Sequence, residues 1–336
     1  MIDNKLTILN KQKAYITQCN SIPIKQRIEI LKKLQKLIQS NEEKIKQALF
    51  EDLHKNPTEA YMTEIGITLS EISYCIKHIK SWAKIRRKTS SVLLFPSKAF
   101  IYPQAKGNVL IISPWNYPFQ LSILPLIGAI SAGNTVILSP SSQSEATNKL
   151  LQELINSNFD SKYLFCTNGD KELSSEILKQ GVNHLFFTGS YKTAQHLHSI
   201  CSKNLISTTF ELGGKSPLII DKDSNLKIAA KRVCLGKFIN CGQTCIAPDY
   251  LFVHKEVKEE FNAKFAFSTV EELLALKEID AVYIATPVFC HKEQVFAAAK
   301  AKKHILLEKP MGLSVEESEE IASFCKAEGV KLGVGL

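Results

Sequence analysis

Ile24, Ile28, Leu31, Leu34 and the Leu37–Ile38 pair recur at three- and four-residue spacing, with lysines between them. That period predicts an amphipathic helix. Ser40-Asn41-Glu42-Glu43 has the form of a capping box and predicts the start of a second helix. Asn56-Pro57 predicts an N-cap followed by a first helical residue, opening a third helix that continues brokenly to about Ile85. Residues 91–105 are short, proline-containing and rich in β-formers, which predicts a strand or hairpin.

From Gly107 the pattern changes to short apolar runs in alternation with helical stretches. Strands are predicted at Asn108–Ser113, Thr135–Leu138, Tyr163–Cys166, His184–Thr188, Ile206–Glu211, Pro217–Ile220 and Tyr250–Val253. Helices are predicted at Gln120–Ala132, Ser144–Asn156, Lys171–Gln180, Thr193–Ser202 and Leu226–Phe238. Apolar strands separated by helices imply an α/β fold: a Rossmann-like, doubly wound parallel sheet preceded by N-terminal helices.

The net charge of +9 is uneven. Residues 1–90 hold a net +8 and the remainder +1. The lysines alternate with Ile and Leu at helical spacing, which describes a solvated helix face and predicts no nucleic-acid partner. Residues 108–138 are the most apolar stretch, but Pro114, Pro118, Pro125, Gly128 and Gly133 interrupt them, so no transmembrane segment is predicted. Nine scattered cysteines without a signal peptide predict reduced thiols in a cytoplasmic protein. Cys241 and Cys245 have no second ligand pair beside them, so no metal site is expected.

The stretch Gly242-Gln243-Thr244-Cys245 puts a cysteine on an irregular loop after a helix, where a substrate could reach its sulfur. The plainer alternative is a small buried hydrophobe. A cysteine nucleophile needs a nearby group that moves protons. Glu211, at the end of a β-like run and followed by Leu212-Gly213-Gly214, is the candidate; a surface glutamate before a turn is the alternative. Asn116 follows the first strand of the alternating region, where open α/β sheets bind ligands, and its amide could donate to an oxyanion. It could equally be a turn asparagine. Phe187-Thr188-Gly189-Ser190 lies where a strand gives way to a helix, a place for a pyrophosphate or simply an ordinary turn. No Gly-x-Gly-x-x-Gly connects a strand to a helix.

In order along the chain, Ser113-Pro114-Trp115-Asn116-Tyr117-Pro118-Phe119, Phe187-Thr188-Gly189-Ser190, Glu211-Leu212-Gly213-Gly214-Lys215-Ser216-Pro217 and Gly242-Gln243-Thr244-Cys245-Ile246-Ala247-Pro248-Asp249-Tyr250 resemble the motifs of the aldehyde dehydrogenase superfamily, most closely its class-3 and fatty-aldehyde branch. The resemblance runs from about residue 5 to about residue 262. It implies NAD- or NADP-dependent oxidation of a small-molecule aldehyde to a carboxylate. By resemblance, Cys245 is the nucleophile that forms a thiohemiacetal and then a thioester, Asn116 the oxyanion donor, and Glu211 the group that activates water. Ser113, Trp115, Ser139, Thr188, Gly189, Ser190, Leu212 and Gly213 would contact the cofactor. Serines stand at Ser139 and Ser142 where the family usually has a lysine and often an acidic residue, which leaves NAD against NADP open. A homodimer is the assembly the resemblance suggests, without the family's C-terminal oligomerisation segment.

Beyond about residue 263 the pattern is α/β again: strands at Asp280–Thr286, His304–Leu307 and Lys331–Val334, and helices at His291–Lys302 and Val315–Glu328. Ala285-Thr286-Pro287 and Glu308-Lys309-Pro310-Met311 resemble the glucose–fructose oxidoreductase and inositol dehydrogenase family. The expected organisation is therefore N-terminal helices and a hairpin belonging to the cofactor domain at 1–106, an NAD(P)-binding domain at 107–210, and a truncated catalytic domain with the nucleophile loop at 211–262. A partial Rossmann-like fragment of a second dehydrogenase family would follow at 263–336. Three functions are open on this reading: an aldehyde dehydrogenase impaired by truncation, a catalytically inactive nucleotide- or partner-binding remnant, and a sugar or polyol dehydrogenase acting through Lys309.

Overall fold

The computed structural model describes residues 2–19, 21–258, 269–284, 286, 288–308 and 311–334. It divides into two units, Met1–Gly213 and Gly214–Leu336. Lys309 and the stretch 262–268, where the sequence pattern changes, lie outside the described residues.

In the first unit α1 (Ile2–Cys19) precedes the helix where the sequence periodicity becomes clear. Gln12 ties it to the sheet: its Nε2 donates to the carbonyls of Val136 and Ser161, each at 3.0 Å, and its Oε1 accepts from Asn108 Nδ2. The next helix, α2 (Ile24–Ser40), buries Leu31, Leu34 and Ile38 of the predicted stripe together with Ile30, while Ile24, Ile28 and Leu37 are half-buried. The capping box expected at the start of α3 (Glu42–Leu53) does not form. Asn41 Nδ2 turns back to the Leu37 carbonyl at 2.9 Å, and Ser40 Oγ to the Lys36 carbonyl at 2.8 Å. The carbonyls ending α2 and the amides opening α3 compete for the same two side chains, and the carbonyls win. Asn56 does cap α4 (Pro57–Ala60), accepting from the Thr58 amide at 2.9 Å. The break predicted before Ile85 is one π-helical turn, Tyr61–Ile65, leading into α5 (Gly66–Trp82). A short hairpin follows, β1 (Arg86–Lys88) paired antiparallel with β2 (Ala99–Ile101).

The sheet contains β3 (Asn108–Ile112), β4 (Thr135–Ser139), β5 (Leu164–Cys166), β6 (His184–Gly189) and β7 (Ser207–Leu212). All pairings are parallel and the order is β5-β4-β3-β6-β7. The intervening helices are α6 (Gln120–Ser131), α7 (Glu145–Asn156), α8 (Lys171–Lys179) and α9 (Tyr191–Lys203). Side chains alternate across the strands. Val109, Ile111, Val136 and Leu138 join one core with α2, α3, α5, α6 and α7, whereas Leu110, Ile137, Leu185 and Phe187 join a second with α8 and α9. The strand order reverses between β3 and β6, which opens a crevice at their C-terminal ends.

Two carboxylates from the N-terminal helices close the amide ends of the sheet helices. Glu64, fully buried in the π turn, accepts from the Phe119 and Gln120 amides at 2.9 and 3.1 Å, where α6 begins. Its other oxygen pairs with buried Lys55, whose ammonium lies 4.4 Å from the Tyr117 ring centroid. Burial pushes the Glu64 carboxyl above its ordinary range, while the Lys55 charge and the backbone amides pull it back. Asp52, on α3, accepts from the Ala146 and Thr147 amides at 2.9 and 2.8 Å, where α7 begins. Gly133, with φ +87°, lets the chain leave α6 tightly; a Cβ there would fall 2.3 Å from Ser21 Oγ and 2.4 Å from Arg27 Nη2.

The second unit pairs β8 (Ser216–Ile220) with β9 (Pro248–Val253) in parallel, joined through α10 (Leu226–Phe238). The short α11 (Lys255–Lys258) and α12 (Val270–Leu274) precede a parallel sheet of order β10-β11-β12 (Ala281–Ile284, His304–Leu307, Leu332–Val334). Its strands are linked through α13 (His291–Lys300) and α14 (Val315–Ala327), and Val295, Ala299, Ile305, Leu307 and Ile321 form its core. Lys237 of α10 reaches Glu308 at 3.5 Å, and Glu308 also accepts from the Tyr283 hydroxyl.

Glu64→Gln leaves the Lys55 charge buried without its counter-ion and is expected to lower unfolding stability by about 3 kcal/mol in urea titration. His184 bridges β6 to β7 through Ser207 and Thr209. Burial, followed by the Lys106 charge, holds its imidazole below the ordinary value. The folded state therefore resists a proton that the unfolded chain accepts near pH ~6.5. This contribution is full above that pH and is lost as pH falls through it. Stability should decline on acidification from about pH 7.5 to about pH 5, and more shallowly in His184→Gln.

Candidate active site

The C-terminal ends of β3, β6 and β7 gather most of the predicted residues. In the register of β6 with β7, Thr188 lies opposite Glu211 and Gly189 opposite Leu212. Glu211 is exposed and Thr188 buried. The loop carrying Asn116 is held at both ends. The Ser113 amide donates to the Ser139 carbonyl at 3.2 Å, and Ser113 Oγ meets Ser122 Oγ at 2.6 Å. Ser144 Oγ donates to the Trp115 carbonyl at 3.0 Å, and Glu64 holds the amides of Phe119 and Gln120. Asn116 lies half-buried between these anchors.

At the head of α9, Ser190 is the N-cap, and its Oγ accepts from the Thr193 amide at 3.3 Å. Residues 190–193 are exposed. An open helix start beside a strand-order reversal, with Ser190 and Thr193 hydroxyls and Lys192 in the first turn, fits a diphosphate. Ser139 is buried, with its hydroxyl 2.9 Å from Ser174 Oγ on α8. Among the described residues no group of three or more His, Cys, Asp or Glu is arranged to hold a metal ion.

In the second unit Cys245 is an exposed free thiol, as is Cys241. The loop before it contains three successive left-handed residues: Asn240 (φ 54°), Cys241 (φ 56°) and Gly242 (φ 81°). It is bonded internally, with the Gln243 amide and Nε2 both donating to the Asn240 carbonyl at 3.0 Å, the Thr244 amide to Gly242 at 2.8 Å and the Ala247 amide to Thr244 at 3.0 Å. Lys215, near the start of β8, pairs with Asp249 at the start of β9 at 3.2 Å. Asn240 Nδ2 also donates to the Gln243 carbonyl at 3.3 Å, so backbone and side-chain bonds both hold the loop.

Sequence reasoning missed Glu64, Lys55 and Asp52. One signal was present: Glu64 falls in phase with Ala60, Thr68, Ile72, Cys75 and Ile79, all buried, so a carboxylate occupied a core position. Such a group needs a cation or amide donors.

A five-stranded parallel sheet of order β5-β4-β3-β6-β7, with an open helix start at the reversal, is a doubly wound, Rossmann-like α/β fold. Within that class the chain belongs to the aldehyde dehydrogenase family, whose model matches residues 7–299. The match continues past residue 262, where the sequence resemblance had been placed to end. The chain is 45% identical over 248 residues to a 4,4'-diaponeurosporen-aldehyde dehydrogenase of Staphylococcus aureus, covering 74% of this chain and 54% of that one. It is 40% identical over 252 residues to aldehyde dehydrogenase family 3 member A2 of Pongo abelii, covering 75% and 52%. A substrate-bound structure of Staphylococcus aureus AldH superposes with a TM-score of 0.75 at 36% identity, covering 99% of this chain and 75% of that one. The chain spans about half the length of the curated relatives it matches.

Left-handed backbone suits glycine and strains other residues. Cys241→Gly should therefore be neutral or stabilising by up to about 1 kcal/mol, and Gly242→Ala destabilising by about 1 kcal/mol or more, in thermal or urea unfolding.

Proposed function

We propose that this chain carries the cofactor sheet and nucleophile loop of an enzyme that oxidises an aldehyde to a carboxylate with NAD or NADP. The observation that carries the reading is the shared edge of Asn116, Glu211 and the open start of α9 on one parallel sheet. In this reading the exposed Cys245 of the second unit supplies the nucleophile. The Cys245 thiolate attacks the aldehyde carbon, and the carbonyl pair moves onto oxygen as a thiohemiacetal. The Asn116 amide donates to that oxyanion. NAD or NADP, when bound, supplies the acceptor for the hydride. Glu211 takes a proton from water as the water attacks the resulting Cys245 thioester, releasing the acid and the thiol. Thr188, Gly189, Ser190, Ser113, Trp115, Leu212, Gly213 and the Ser139 strand end line the cofactor's course. The aldehyde in the Staphylococcus aureus relative's name is one candidate substrate.

The finer organisation is part of the proposal: an NAD(P)-binding domain at 107–210, a partial catalytic region at 211–262, and a following fragment of a second dehydrogenase family. The three parallel strands β10, β11 and β12, with helical crossovers, support a Rossmann-like character for that fragment. A nucleotide-binding remnant without turnover is the second reading, supported by a match that spans 54% and 52% of the length of two curated relatives.

Aldehyde-dependent formation of reduced cofactor, followed by absorbance, tests the choice. The enzyme reading expects turnover abolished in Cys245→Ala and lowered by about 10²–10³ in Asn116→Ala. Glu211→Gln should retain the first burst of reduced cofactor while steady turnover falls. Nucleotide binding by calorimetry with no turnover from any aldehyde would establish the remnant instead.

A further inference from the structure

The last turn of α10 is contacted from two sides. On one side is the Cys245 loop. A Cβ at Gly242 would lie 3.4 Å from the Lys237 carbonyl, and one at Gly236 would lie 3.5 Å from Pro248, where β9 begins. The loop therefore leaves and re-enters against the same helical turn. On the other side is the β10-β11-β12 sheet. Lys237 Nζ lies 3.5 Å from Glu308 Oε1, just past β11, and 5.2 Å from the centroid of the Tyr283 ring on β10. The Tyr283 hydroxyl donates to the same carboxylate oxygen. Tyr283 thus meets Lys237 with its ring and Glu308 with its hydroxyl.

This cluster differs from an open surface ion pair. The side chains of Lys237 and Glu308 are 15% and 25% exposed, so water screens them less than it would a fully solvated pair. Partial burial, and then the Glu308 carboxylate, holds the Tyr283 hydroxyl above its ordinary value, which keeps it a donor. A cation in the last turn also complements the C-terminal pole of α10. No residue of α10 is buried, and the core of the β10-β11-β12 sheet takes none of its members from that helix. A polar anchor therefore matters more here than on a helix with a buried face. Glu308 lies beyond residue 299, where the family match ends.

We propose that Lys237, Glu308 and Tyr283 are positioning residues for the Cys245 loop. The β10-β11-β12 sheet holds the last turn of α10, and that turn is the platform on which the loop keeps its shape. Asn240 and Cys241 stand at φ 54° and 56°, conformations that persist where the surroundings fix them. Freed from its platform, the loop opens more often and presents the thiol in many directions. The inference rests on the reading of Cys245 as the nucleophile. The anchoring needs no turnover, so failure of the one is distinguishable from failure of the other.

The test is hydrogen–deuterium exchange of the full chain, resolved by peptide, with circular dichroism to report folding of each variant. The Gln243, Thr244 and Ala247 amides are bonded within the loop and report its opening. Glu308→Gln and Lys237→Met should each speed their exchange about fivefold, and Tyr283→Phe about threefold. Lys237→Arg keeps both the ion pair and the ring contact, so it should exchange like the parent. Peptides covering Val295 and Ile305, in the core of the β10-β11-β12 sheet, should be unchanged. Unaltered loop exchange in Glu308→Gln overturns the proposal. So does faster exchange that spreads equally through that core, since the cluster would then only stabilise its own sheet. A Lys237→Arg loop as open as that of Lys237→Met overturns it as well.

Discussion

The first unit depends on how the amide ends of its helices are satisfied. A helix begins with backbone N–H groups that have no partner within it, and burying them unpaired is costly. Here the acceptors come from other elements. Glu64 closes α6 and Asp52 closes α7, each across a long stretch of sequence. The π turn at Tyr61–Ile65 carries Glu64 into the interior, and Lys55 balances its charge there. The N-terminal helices are therefore more than a cover for one face of the sheet. They set where α6 begins, and so the path of the loop that presents Asn116.

That loop shows how stability and chemistry share residues in this fold. Ser113, Ser122 and Ser144 hold its backbone, and Glu64 holds its exit. The anchors lie on β3, α6 and α7 and in the π turn, so the side chain between them inherits the position of four elements. This arrangement suits the oxyanion role proposed for Asn116, because a preorganised dipole needs no rearrangement as charge develops. The Cys245 loop of the second unit reaches order by another route, through consecutive left-handed residues and short internal hydrogen bonds.

Family membership and length pull the functional reading in different directions. The family model runs to residue 299, whereas the alignments to curated relatives cover about half of those proteins. The parallel sheet β10-β11-β12 gives the tail a core of its own, with Ile305 and Leu307 on one strand meeting Val295 and Ile321 from its two helices. A local α/β pattern can close a small core without supplying a cofactor crevice, because the crevice requires a reversal of strand order and this sheet runs in sequence order.

The sequence by itself determined the order of the strands and helices from β3 to α10. Alternating apolar runs announced β3 to β7 to within a few residues, helical spacing announced α2, and Asn56-Pro57 announced the start of α4. The motif order also identified Asn116, Glu211 and Cys245 as the residues to follow. These signals are local, because side-chain period and cap chemistry act over a few residues. The tertiary structure decided the rest: α1 anchored by Gln12, the Asn41 and Ser40 side chains spent on the end of α2, Ser139 turned toward Ser174, and the capping carboxylates Glu64 and Asp52. In each case a polar group had several acceptors or donors within local reach. Which one it took depended on what the folded chain brought near and what it shut away from water, and sequence spacing carries no measure of either.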